Sequence, residues 1–215
     1  MKQGLFSIKT VLIRFVLIFG LVNMVSVNAW ADDFKILALG DSLTAGYGLD
    51  QNQGFTVQLQ QALNHNFPDR DIKVMNGGVS GDTTKGGLAR LNWALVDNPD
   101  MVIVELGAND GLRGLDPKLT EKNLDGILQN LKDRGMKVLL TGMLAPPNLG
   151  GDYGREFNSI YPRLAKKHGV ALYPFFLEGV AGIADLNQED GIHPNADGVA
   201  IIVERLLPHI KKVMN

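Results

Sequence analysis

Residues 36–46 read Ile-Leu-Ala-Leu-Gly-Asp-Ser-Leu-Thr-Ala-Gly, and this stretch constrains the fold more than any other. Ile36–Leu39 is apolar without alternation, the pattern of a strand covered on both faces and therefore of a parallel sheet. Gly40-Asp41-Ser42 ends the run with turn formers and leaves a hydroxyl at the strand's carboxyl end. Open α/β sheets build their sites at that end. On its own, Ser42 can serve as a helix cap, a phosphate contact or a nucleophile.

The rest of the chain alternates strand and helix. Ile72–Met75 reads as a second strand running into Asn76-Gly77-Gly78, Met101–Leu106 as a β-branched central third, Lys137–Thr141 as a fourth and Val170–Tyr173 as a fifth. Between them, apolar residues recur at helical spacing over Gly54–Asn66, Thr84–Val96 and Thr120–Arg134. The third of these helices has early acidic and late basic residues, and Gly135 stops it. A helix over Gly154–His168 should kink or split at Pro162. A last helix over Pro194–Val213 should bend at Pro208. Residues 145–151, with two prolines and two glycines, predict an irregular loop able to wall a site. Short strands with helical crossovers predict an α/β fold: a three-layer α/β/α sandwich around a five-stranded parallel sheet of flavodoxin-like order 2-1-3-4-5. Ser42 then lies at the switch point, beside the loops carrying Gly78–Asp82 and Gly107–Asp110.

The first 31 residues differ from this pattern. Lys2, Lys9 and Arg14 precede an apolar run from Phe15 to Val27, and Ala29-Trp30-Ala31 follows with small residues where a signal peptidase reads them. Residues 1–31 are expected to be a secretory signal peptide cleaved after Ala31, leaving residues 32–215 as one domain with no stable membrane anchor. Cleavage removes three basic residues and no acidic one, so 23 acidic residues face 18 basic ones and the net charge falls to −5. An acidic exported chain without basic runs is a poor nucleic-acid binder. The absence of cysteine excludes disulfides, thiolate metal sites and a cysteine nucleophile. A periplasmic or secreted monomer is expected.

Nucleotide motifs fail on inspection. No G-x-G-x-x-G follows a strand, and Gly81–Gly87 lacks the Lys-Ser/Thr pair of a P-loop. The G-x-S-x-G elbow of α/β-hydrolases is also absent. Ser80 suits a turn, and Ser159 a helix. His65, His168 and His209 fall at helical positions, are expected to be solvated, and form no pair at metal-ligand spacing. In Asp190-Gly191-Ile192-His193-Pro194, the carboxylate can face the imidazole three residues on and leave Nε2 free as a base. The same residues can equally be a turn and a helix start. Asn109, in Gly107-Ala108-Asn109-Asp110, can stabilise its own turn or donate an amide toward the switch point. Glycines 77, 78 and 81 leave backbone N–H groups open to a ligand.

The order Gly-Asp-Ser, Asn-Gly-Gly…Ser-Gly, Gly-x-Asn-Asp and Asp-x-x-His, spread over the whole mature chain, resembles the SGNH (GDSL) hydrolase family. Residues 104–114 and 189–195 are similar to its periplasmic arylesterase, acyl-CoA thioesterase I and lysophospholipase branch. The resemblance implies a serine hydrolase of carboxylic esters and acyl thioesters, with Ser42 as nucleophile, His193 as base and Asp190 as its partner. It implies an oxyanion hole from the Ser42 N–H, the Gly81 N–H and the Asn109 amide, with no metal or organic cofactor. Ala108 departs from a glycine common in relatives and could narrow the site. Position and resemblance together point to Leu43, Gly111, Leu112 and Pro146 as substrate-binding residues for a small-molecule acyl substrate. The rival readings are a carbohydrate O-deacetylase of the same family and a non-catalytic periplasmic acyl-lipid binding protein.

Overall fold

The computed structural model describes residues 33–215; the expected signal peptide lies outside them. Five parallel strands, β1 (Phe34–Gly40), β2 (Ile72–Gly78), β3 (Met101–Glu105), β4 (Lys137–Thr141) and β5 (Ala171–Tyr173), form one sheet in the order β2-β1-β3-β4-β5. The expected order and class are those observed. All five residues of β3 are buried, as a middle strand covered on both faces requires.

Eight helices flank the sheet among the described residues: α1 (Ser42–Ala45), α2 (Phe55–Asn66), α3 (Thr84–Ala94), α4 (Ala108–Leu112), α5 (Pro117–Asp133), α6 (Gly151–Asn158), α7 (Ile160–His168) and α8 (Ala196–Met214). Helices α2 and α8 pack on each other, and α5 packs on both α3 and α7. On α5 the predicted stripe Leu124, Ile127, Leu128 and Leu131 is buried in the core, where the helix packs on β4. The outer edge of β2 is covered by one side chain. Gln60 Nε2 donates to the Ile72 carbonyl (2.6 Å) and its Oε1 accepts from the Val74 N–H (2.7 Å), replacing a missing strand partner.

Several boundaries differ from expectation for local reasons. Helix α5 starts three residues earlier, at Pro117, because Asp116 caps it by accepting from the Lys118 N–H (2.9 Å). The break in the 151–168 segment falls at Ser159, ahead of Pro162. Pro162 then occupies the first turn of α7, where a missing N–H leaves no bond unmade. The stretch 145–151 is a loop only in part: a 3₁₀ turn occupies Pro147–Leu149, and α6 starts at Gly151. Helix α8 starts at Ala196 rather than Pro194, with Asn195 accepting from the Gly198 N–H (3.0 Å). His168 is buried rather than solvated, its Nε2 lying 2.6 Å from Asp125 of α5.

Register brings the strand ends level. Gly40 pairs with Gly78 on one side and with Glu105 on the other, so β1, β2 and β3 finish in one row. The next residues of each chain segment, Asp41-Ser42, Val79–Asp82 and Leu106–Asp110, therefore gather at one place.

Candidate active site

Asp41 turns the chain out of β1 and caps α1, accepting from the Leu43 N–H (3.0 Å) through Oδ1. This one-turn helix places the Ser42 hydroxyl 2.9 Å from His193 Nε2. His193 Nδ1 lies 2.6 Å from Asp190 Oδ2, and Asp190 Oδ1 accepts from the Ile192 and His193 N–H groups (both 3.0 Å). The His193 bond pulls the Asp190 carboxyl down to about 2, its largest influence, with the two backbone bonds adding to it. An ionised Asp190 only accepts, so Nδ1 carries the imidazole proton and Nε2 presents a lone pair to Ser42. Imidazole held this way can take the hydroxyl proton.

The loop carrying His193 is tied to the loop after α1. Gln188 Nε2 donates to the carbonyls of Tyr47 (2.8 Å) and Pro194 (3.0 Å), and the Tyr47 ring lies 4.8 Å from the His193 ring, centroid to centroid. Sequence reasoning missed both residues, since neither forms a pattern with the histidine along the chain.

Asn109 and Asp110 part company on α4. Asp110 is buried and accepts from the Thr84 N–H (2.8 Å), the Thr84 hydroxyl (2.5 Å) and the Thr120 hydroxyl (3.1 Å), joining α4 to α3 and α5. Asn109 lines the cleft, and one of its amide hydrogens bonds Asp41 Oδ2 (3.0 Å). An amide has two such hydrogens, so the bond to Asp41 orients the group and leaves the second for a ligand. Gly107 makes this turn possible: its φ is +116°, and a Cβ there would overlap the Tyr161 hydroxyl, which bonds the Leu106 carbonyl (3.0 Å). The N–H groups of Ser42 and Gly81 have no acceptor among the described residues. Arg113 holds the Gly81 carbonyl (2.7 Å), and Arg90 bridges the Gly40 carbonyl (2.9 Å) and Asp82 (2.7 Å), fastening the Gly81 turn to the end of β1.

Burial, opposed by the Leu43 and Asn109 bonds, pushes the Asp41 carboxyl up to about 6. Beneath it, Glu105 is fully buried and accepts from the Thr44 hydroxyl (2.7 Å) and the Asp41 N–H (3.3 Å). The sequence did carry a signal for this residue: a lone carboxylate ending an apolar strand must find partners. A Cβ on Gly40 would overlap both Glu105 Oε2 and the Thr44 hydroxyl. Gly40→Ala should therefore destabilise the protein by about 1–3 kcal/mol, measured as a lower urea midpoint, and should misplace Ser42.

Ser42, His193, Asn109 and Gly81 share a cleft of about 570 Å³, within the range of small-molecule sites. Of the residues expected to hold substrate, Leu43, Leu112 and Pro146 line it. Gly111 does not: it is buried behind the wall, where a Cβ would touch Phe157 and Pro146. Leu144 lines it as well, and Met143 and Ile192 add apolar lining that sequence position alone did not single out.

Comparison with known proteins agrees with the geometry. A sequence model of the GDSL-like Lipase/Acylhydrolase family matches residues 38–201. The chain is 40% identical over 202 residues to esterase TesA of Pseudomonas aeruginosa, covering 94% of this chain and all of that one. It is 40% identical over 181 residues to thioesterase 1/protease 1/lysophospholipase L1 of Escherichia coli K12, covering 84% and 85%. A crystal structure of TesA superposes with a TM-score of 0.78 at 42% identity, covering 83% of this chain and 99% of that one. With its sheet order, its cleft and relatives matched over nearly their full length, the chain belongs to the GDSL-like lipase/acylhydrolase family.

Proposed function

We propose that the protein hydrolyses carboxylic esters and acyl thioesters through an acyl-enzyme on Ser42. The observation that carries this reading is the continuous chain from Asp190 through His193 to the Ser42 hydroxyl, opening into an apolar cleft. His193 Nε2 accepts the Ser42 proton as Oγ attacks the acyl carbonyl. Negative charge then develops on the carbonyl oxygen. The Ser42 N–H, the Gly81 N–H and the free Asn109 amide hydrogen receive it, each worth about 3 kcal/mol to the transition state. Protonated His193 gives its proton to the leaving alcohol or thiol. Water, deprotonated by the same imidazole, releases the acid and restores the serine. Every proton and electron pair in this cycle is handled by these residues, so no cofactor is invoked.

The acyl chain lies along Leu43, Leu112, Leu144 and Pro146. The alcohol or thiol points outward, and the cleft therefore discriminates the acid more than the leaving group. The names of the relatives support both leaving-group classes, ester and thioester. The basic-apolar-small pattern of residues 1–31 supports export to the periplasm or medium.

The test is hydrolysis of p-nitrophenyl esters from two to sixteen carbons, and of matching acyl thioesters, by residues 32–215. Turnover of both classes, rising with acyl length as the cleft fills, is the expected result. Stoichiometric fatty-acid binding without turnover would instead establish an acyl-binding protein. Asn109→Ala should lower kcat by roughly 10²–10³-fold with KM little changed. Unaltered kcat would remove Asn109 from the oxyanion hole.

A further inference from the structure

The catalytic cycle leaves one buried ionisable group unused. Glu105, the last residue of β3, is fully buried beneath α1. Its Oε2 accepts from both the Asp41 N–H and the Thr44 hydroxyl, the two residues on either side of the Ser42-Leu43 step, while Oε1 is buried without a partner. No lysine or arginine pairs with it among the described residues; Arg90 bonds the Gly40 carbonyl and Asp82, and its Nη1 is buried without a partner.

We propose that Glu105 is a positioning residue: held as an uncharged carboxylic acid, it clamps both ends of the turn that carries Ser42 and so sets the nucleophile against His193.

Three observations support this. Gly40 has no room for a side chain because Glu105 Oε2 and the Thr44 hydroxyl fill the space a Cβ would take, so the glycine preceding Asp41-Ser42 accommodates this acid. Around Glu105, burial and the Asp41 carboxylate favour the neutral form, and together they outweigh the Thr44 and Asp41 donors, which favour the ionised one. From the β1–α1 junction it meets Asp41, a carboxylate that bonds Asn109 and Leu43. From α1 it meets the Thr44 hydroxyl. The Thr141 hydroxyl of β4 is spent on the Val104 carbonyl, and the Tyr161 hydroxyl of α7 on the Leu106 carbonyl. Asp82 and His193 act on Asp41, the first raising and the second lowering its carboxyl. Burial, and next the Asp41 charge, push the Glu105 carboxyl well above the ordinary carboxylate range. Finally, an ionised Glu105 would carry buried negative charge on Oε1 with no donor, the costliest arrangement available to it.

The proposal goes beyond the assignment of Ser42 and is tested by a signal that does not depend on it. Infrared spectra of the full chain and of Glu105→Gln, taken in D₂O at pH 7, should differ by a protonated-carboxyl C=O band that the variant lacks. The same band should survive in Ser42→Ala, so a failure of the nucleophile assignment would leave it in place. In turnover, Glu105→Gln, uncharged and of the same shape, should keep kcat within about threefold at pH 7. Glu105→Ala should lose roughly a hundredfold in kcat with KM almost unchanged, the effect of a misplaced nucleophile. As pH rises, wild-type kcat should fall when Glu105 ionises, and Glu105→Gln should not show this loss. Absence of the band, or a Glu105→Gln variant as impaired at pH 7 as Glu105→Ala, overturns the proposal. Should Glu105→Ala fail to fold, the band and the alkaline limb of Glu105→Gln still decide it.

Discussion

Ser42→Ala should lower kcat toward p-nitrophenyl esters by about 10⁶-fold, with the thermal midpoint unchanged. The hydroxyl accounts for the whole effect: Oγ sits 2.9 Å from His193 Nε2 and makes no other hydrogen bond among the described residues. The fold loses only one half-buried oxygen. His193→Ala should fall almost as far, because an unassisted serine hydroxyl is a weak nucleophile near neutral pH. The double variant should be scarcely worse than either single one, since the two groups act as a unit and the first loss removes what the second would contribute. A residual acceleration of roughly 10³-fold over water should persist, supplied by the oxyanion donors and the apolar cleft. The measurement is active-enzyme kinetics on the three variants, with labelling of Ser42 by a phosphonate ester as a check. Parent-like turnover in Ser42→Ala would mean that another group attacks the carbonyl. Additive losses in the double variant would mean that serine and histidine work independently.

The hydrogen-bonded chain of Asp190, His193 and Ser42 was legible in the sequence because each residue belongs to a pattern set by short-range chemistry. An unalternating apolar run ends at Gly40-Asp41-Ser42, and a carboxylate three residues before a histidine can close on it without help from the rest of the fold. The parallel sheet and its helical layers followed from the same runs, since strands buried on both faces need crossover helices to cover them. What sequence could not supply depends on tertiary partners. Helices α1 and α4 have four and five residues, too few for a helical period to appear. Glu105 meets Thr44 and Asp41 across more than sixty residues of chain. His168 is buried because Asp125 of α5 approaches it from 43 residues away. Gly111 follows Asn109 by two positions and so turns away from the cleft on a helix, behind Pro146 and Phe157. An extended loop would have put it on the same side as Asn109. Reading that segment as a loop rather than as α4 is what placed Gly111 in the wall.

Asp190→Asn should reduce kcat by about 10⁴-fold while leaving KM and stability nearly as they are. The carboxylate has four bonds to make and makes three: Oδ2 with His193 Nδ1, and Oδ1 with two backbone N–H groups. An asparagine can satisfy only one of these sets. With its oxygen toward the backbone N–H pair, its NH₂ meets Nδ1, which must then become the acceptor. The imidazole proton moves to Nε2, where it faces Ser42 Oγ and cannot take the hydroxyl proton. With its oxygen toward His193, the NH₂ confronts two backbone donors and the loop opens. Stability changes little because Asp190 is 39% exposed and water screens the lost ion pair. Its carboxyl lies at about 2 in the fold, below the usual value near 3.9. Its small stabilising contribution is therefore present above about pH 4 and is lost as pH falls toward 2. The wild-type carboxylate is ionised throughout the range in which esters are assayed, so no limb of the pH profile above pH 4 belongs to Asp190. The asparagine variant should recover activity as hydroxide concentration rises, since hydroxide can remove the serine proton that the wrongly protonated imidazole cannot. Kinetics from pH 6 to 10 would check this. A loss below tenfold at pH 7 would mean that His193 is oriented by its contact with the tilted Tyr47 ring and by the Gln188 bonds rather than by Asp190.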